Sequence, residues 1–232
     1  MIDITLDIDP VLVEQEIAQA LVRKFSGILS SMIGPVRARV AEAIETLIKQ
    51  SPEYVSLTES RGQLRGELGL IGGGPRPTID PESFINLLIN TIQNNVEVEL
   101  EPFIRTGSTF VGGLVVRVLR SQFDDLVALS GAVYVSPERG YSIPWLNWLL
   151  LGGPGDLITT HWYMHTGETE HRSRTGMGVM VPVGGGHSGW GLGPNGGTPD
   201  NNWLTRSLAP LVNGQPKGVI HVILEEELLR RT

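Results

Sequence analysis

The chain of 232 residues contains no cysteine, which removes disulfides, thiolate metal sites and cysteine nucleophiles in one step. Long apolar runs are missing too. The longest, around Ile143 to Leu151, falls far short of the roughly 20 residues that cross a bilayer. The amino terminus, MIDITLDIDPVLVEQE, lacks the basic start and apolar core of a secretion signal. These absences predict a chain made and kept inside a cell, without membrane contact. Positive charge is in deficit: 18 basic against 25 acidic residues leave a formal charge of −7, which opposes unspecific binding to phosphate backbones. No unit repeats at a fixed period and no low-complexity tail occurs, which excludes solenoid and disordered classes. Tryptophan is absent from the first 140 residues, and lysine nearly disappears from the later part, where only Lys217 remains.

What is present divides into a helical first third and a mainly β remainder. Asp9-Pro10 reads as a helix start, with apolar Val11, Ile17, Leu21, Phe25, Ile28 and Leu29 at helical spacing. Gly34-Pro35 is expected to interrupt that helix, and a second one follows with Val36, Val40, Ile44 and Ile48 on one stripe. Ser51-Pro52-Glu53 and Asp80-Pro81-Glu82 open further helices, the latter running to about Gln93. From Asn95 the period changes to two, with Glu97, Glu99 and Glu101 on one wet face of a strand. Gly112-Gly113 opens another strand and hints at a bulge. Residues 157–165 and 175–183 read as a hairpin, Asn201 or Asn202 as the cap of a helix holding Trp203, Leu204 and Leu208, and residues 219–229 as a last helix. The fold class is therefore α+β: N-terminal helices, then an antiparallel β-sheet or small barrel, then a C-terminal helix. GGGPRP suggests a linker between a helical region, residues 1–75, and an α+β domain, residues 76–232, or the two form one continuous domain.

Catalytic chemistry is hard to assemble from these residues. His161 and His165, followed by Glu168, Glu170 and His171, are zinc-ligand types at suggestive spacing. Their β-branched and aromatic flanks predict a strand, however, and four residues along a strand set the two imidazoles about 13 Å apart. His187 and Ser188 share a glycine loop with no acid placed to orient the imidazole. GLIGGGPRP lacks the lysine and hydroxyl of a phosphate-binding loop. Glu97, Glu99 and Glu101, like Glu225, Glu226 and Glu227, read as solvated faces. No cofactor or metal is implied.

The tryptophans and arginines point elsewhere. Trp145, Trp148, Trp162, Trp190 and Trp203 fall within one segment, and Arg105, Arg117, Arg120, Arg139, Arg172, Arg174 and Arg206 accompany it. Exposed tryptophan and arginine together are the composition of protein contact sites. The residues expected at such a surface are Trp145, Trp148, Trp190, Trp203, Arg172, Arg174, Arg206 and His187. Replacing Trp148 and Trp190 with serine is then expected to spare the fold and block assembly.

The order SPEYVSLTESRGQLRGELGL, YSIPWLNWLLL, SRTGMGVMV and GTPDNNWLTRSLAPL resembles virion proteins of tailed bacteriophages, especially the neck and tail-completion (head-tail connector) proteins of contractile-tailed phages. The resemblance touches residues 51–70 and 140–211. It implies a non-enzymatic structural protein of the virion, made in the host cytoplasm. Such a protein forms an oligomeric ring with copies of itself and with neighbouring connector and tail proteins, and DNA passes through without sequence-specific contact. A tail-tube terminator or baseplate component is the neighbouring alternative. A tail-associated hydrolase working around His161, His165 and His171, and an assembly chaperone absent from finished particles, are the alternatives of other classes.

Overall fold

The computed structural model describes residues 10–70, 80–106, 109–119, 123–135, 142–165, 178–184, 186, 188–215 and 217–231. The first element is one continuous helix, α1, Pro10–Lys49, about 60 Å long at 1.5 Å per residue. The interruption expected at Gly34-Pro35 does not occur. Proline inside a helix removes one backbone donor and costs about 3 kcal/mol. Against that, Met32, Val36, Val40, Ile44 and Ile48 are all buried on one stripe that runs past Pro35, and each such side chain contributes about 1.5–3 kcal/mol. Burial of the stripe outweighs the local break.

Short helices α2, Pro52–Thr58, and α3, Gln63–Glu67, follow. The Ser51 hydroxyl accepts from the Tyr54 N–H and caps α2. In α4, Pro81–Asn94, the Asp80 carboxylate accepts from the Ser83 N–H, and Phe84, Ile85, Leu88, Ile89 and Ile92 form the buried face. Near the end of α4, Gln93 Nε2 donates to the Ala41 carbonyl at 2.7 Å, and Arg37 Nη2 donates to the Asn94 carbonyl at 2.9 Å. These bonds set the start of the next strand beside the C-terminal half of α1.

Strands β1, Glu97–Thr106, and β2, Thr109–Arg117, form an antiparallel ribbon that packs on α1. Beyond it come α5, Asp124–Val127, then β3, Tyr134–Val135, paired with β4, Ser142–Ile143, and then α6, Trp145–Leu151. Strand β5, His161–His165, pairs with β6, Gly178–Pro182, in the expected hairpin. The chain closes with α7, Trp203–Leu208, α8, Pro210–Asn213, and α9, Val219–Leu229. The class is α+β, with a long N-terminal helix, antiparallel strands and a C-terminal helix. The strands are divided among three two-stranded ladders within the described residues. Pairs that small do not stand alone in water, so helices supply most of the core. One buried cluster draws on Val40, Leu57 and Leu70 as well as Leu88, Trp145 and Leu204, so residues on both sides of position 75 share it. The segment GGGPRP, proposed as a linker, lies outside the described residues. No helix among them is long and apolar enough to cross a membrane.

Candidate assembly surface

The segment richest in tryptophan turns inward. Trp145 is fully buried; its indole Nε1–H donates to the Gly131 carbonyl at 2.7 Å, and its ring meets Phe84 edge-on with centroids 5.0 Å apart. Trp203 is equally buried and donates to the Ser51 hydroxyl at 2.8 Å. The helix that carries it starts from a reciprocal cap between Asn202 and Thr205. Trp190 is buried as well and packs edge-on against half-buried Trp148 at 5.8 Å. Trp145, Trp190 and Trp203 are core anchors, which corrects the expectation that they form a contact surface, while Trp148 stays half-buried at the edge of that core. A large apolar ring with one donor is equally suited to a core pocket that offers one acceptor. Substituting Trp148 and Trp190 would therefore remove packing inside the molecule.

The glycine-rich stretch around Trp190 is also held to the body. Trp190 N–H donates to the Ile158 carbonyl at 2.7 Å, and the Trp190 carbonyl accepts from Leu157 N–H at 2.8 Å. Gly189 N–H donates to the Asp156 carboxylate at 3.1 Å, and Gly153 N–H to the Gly197 carbonyl at 2.8 Å. Glycine is needed where this stretch lies flat: a Cβ on Gly191 would sit 2.2 Å from the Gly155 carbonyl oxygen.

Arg206 has an internal partner. Its guanidinium donates to Glu53 Oε1 at 2.7 Å and to Asn201 Oδ1 at 3.1 Å, tying α7 to α2. Arg172, Arg174, His171 and His187 lie outside the described residues. His161 lies in β5 opposite Pro182, with Nδ1 at 3.0 Å from the Thr160 hydroxyl. His165 lies at the other end of the same strand, opposite Gly178. Among the described residues, no three His, Asp or Glu side chains converge as a metal site.

Among the exposed apolar side chains of the described residues, two groups outside the tryptophan segment stand out. On the N-terminal half of α1, Val13, Ile17, Leu21 and Phe25 are 41–55% exposed. They recur every four residues and so form one ridge along the helix. The second surface is on the ribbon. From Glu97↔Arg117 to Glu101↔Gly113 the two strands pair in step, and then the register shifts so that Ile104 stands opposite Val111. Pro102 and Phe103 together oppose Gly112, the two-against-one arrangement of a β-bulge. Alternation without the bulge would place Ile104 on the face of Val98 and Leu100, toward the core. With it, Ile104 joins the outer face of Glu97, Glu99 and Glu101. Ile104 is 65% and Val111 63% exposed.

Comparison with protein-family models, with curated proteins and with solved structures returned no match for this chain. The residues and their geometry are therefore the basis of any functional reading.

Proposed function

We propose that this protein is a structural subunit of a tailed-phage particle, built into a ring at the head-tail junction by contacts with copies of itself and with neighbouring connector or tail proteins. The observation that supports it is the pair of uncovered apolar surfaces on α1 and on the ribbon. Single exposed apolar residues are ordinary on any protein. A ridge of four on one helix, and a cross-strand pair turned outward by a bulge, are contiguous surfaces that lower the free energy when a partner covers them. The assignment to a virion rests on the likeness of SRTGMGVMV and GTPDNNWLTRSLAPL to neck and tail-completion proteins. The contacts it requires move from the indoles, which the core uses, to α1 and the hairpin.

The test is quantitative mass spectrometry of gradient-purified particles, scaling this chain to the major capsid protein. A fixed copy number of about six or twelve, the stoichiometry of a closed ring in such a particle, is the expected result. Absence from intact particles would overturn the reading.

A further inference from the structure

The two uncovered surfaces fit each other. We propose that the hairpin tip of one copy, Ile104 with Val111, docks on the α1 ridge of the next copy, Val13, Ile17, Leu21 and Phe25. This rests on the reading above, that copies of the chain join head to tail.

The ribbon cannot make this contact within its own chain through the face concerned. Val98, Leu114 and Val116, on the opposite face, pack into the core, so the face of Ile104 and Val111 looks away from its own body. A second copy brings the ridge to it. Because the two patches differ, each copy gives one contact and receives another. Such heterologous contacts propagate, and they close into a ring when the rotation permits.

Charge sets the register. Lys24 lies seven residues after Ile17, on the same face of α1 and about 10 Å along it at 1.5 Å per residue. Glu101 lies two rungs before Ile104 on the outer face of the ribbon, because the bulge absorbs one residue, and so about 7 Å away at 3.3 Å per residue. With Ile104 seated on Ile17 and the ribbon laid along the helix, Glu101 of one copy falls about 3 Å short of Lys24 of the other, a gap that the flexible four-carbon stem of the lysine spans. Among the described residues no salt bridge engages either group, while the neighbouring Glu99 is already paired with Arg117. The ribbon thus presents an apolar tip followed by an acid, and the helix an apolar ridge followed by a base, neither of them held in a salt bridge among the described residues.

The absence of native cysteine makes a disulfide trap clean. In the full-length chain, Ile17→Cys combined with Ile104→Cys, concentrated and mildly oxidised, is expected to give a ladder of dimers, trimers and larger species on a non-reducing gel. Each single variant should give none. Both positions are exposed, so the circular dichroism of the variants should match that of the parent chain. Lys24→Glu in the double-cysteine background should lower ladder yield about fivefold, the weight of one exposed ion pair, and adding Glu101→Lys should restore it. Efficient dimer formation by Ile17→Cys alone would overturn the proposal in favour of a helix-to-helix two-fold. A double variant that cross-links no better than the singles would overturn it outright. The virion reading fails separately: a ladder from a chain missing from particles keeps the contact and removes the particle, whereas a chain counted in particles without a ladder removes only the contact.

Discussion

The Trp203 indole donates its N–H to the Ser51 hydroxyl at 2.8 Å, joining residues 152 positions apart in the chain. The same hydroxyl donates to the Ile48 carbonyl at 2.7 Å and accepts from the Tyr54 N–H at 3.2 Å. A serine hydroxyl has one donor and two acceptor sites, and all three are used. One buried oxygen therefore closes α1, opens α2 and fixes α7 against both. Arg206, one turn beyond Trp203, repeats the link through Glu53.

Ser51→Ala should be costly for this reason. It removes a helix cap, worth about 1 kcal/mol, and leaves the indole N–H buried without a partner, worth about 1–3 kcal/mol. Urea denaturation should register a loss of about 2–4 kcal/mol in total. Trp203→Phe made in the Ser51→Ala background should cost less than in the parent, because the bond is already gone. Strictly additive costs would mean that the two residues are not coupled.

The middle of α1 should accept better helix formers. A methyl group added at Gly34 meets no atom within 4 Å, and alanine exceeds glycine inside a helix by about 1 kcal/mol. Gly34→Ala is expected to raise the thermal midpoint, and Pro35→Ala to raise it further by restoring a backbone donor. A fall in either variant would mean that the helix needs a bend at this point.

Local chemistry explains which parts of this fold are legible in the sequence. Ser51, Asp80 and Asn202 announce helix starts because a cap needs only a side chain and the next three residues. Glu97, Glu99 and Glu101 announce a strand through alternation alone. Gly34-Pro35 misleads because its local preference is outvoted by burial of Val36 and Val40, which depends on α4 and α9 arriving from far along the chain. The ridge of Ile17, Leu21 and Phe25 is visible as an apolar face, but periodicity does not say whether a core or a partner covers it. The tryptophans mislead for a related reason: the composition of contact sites applies to exposed rings, and exposure is a tertiary property. Gly112-Gly113 does hint at the bulge, yet only the pairing register reveals that the bulge turns Ile104 outward.

The C-terminal helix should respond to acid through Glu227. Its carboxylate is almost completely buried and accepts from Arg231 at 2.6 Å and Arg230 at 2.9 Å, with Arg39 at 3.5 Å. The hydrogen bond from Arg231, aided by the charges of Arg230, Arg231 and Arg39, holds the carboxyl below the usual glutamate range. A carboxyl lowered in the folded state stabilises it above the unfolded value, near 4.3, and that stability is lost as pH falls through the folded value. The urea midpoint should therefore fall with acid below about pH 4.3, and Glu227→Gln should flatten that part of the curve. Parallel curves for the two proteins would remove Glu227 as the source.

Gly112 should be irreplaceable where Gly113 is not. A Cβ at Gly112 would lie 2.7 Å from the Phe103 Cα and 2.9 Å from the Pro102 carbonyl oxygen, whereas one at Gly113 meets nothing within 4 Å. The obstacle at Gly112 is backbone, which cannot rotate aside as a side chain can. Relief requires the two bulged residues to move, and with them the register that turns Ile104 outward. Gly112→Ala should cost about 1–3 kcal/mol, as overpacked sites do, and Gly113→Ala should stay within about 0.5 kcal/mol of the parent. Ladder amides outside the bulge, such as those between Ile104 and Thr109, should exchange hydrogen faster in Gly112→Ala while amides of α4 stay protected. Equal exchange in the two variants would mean that the close approach at Gly112 does not fix the bulge, and the outward placement of Ile104 would need another cause.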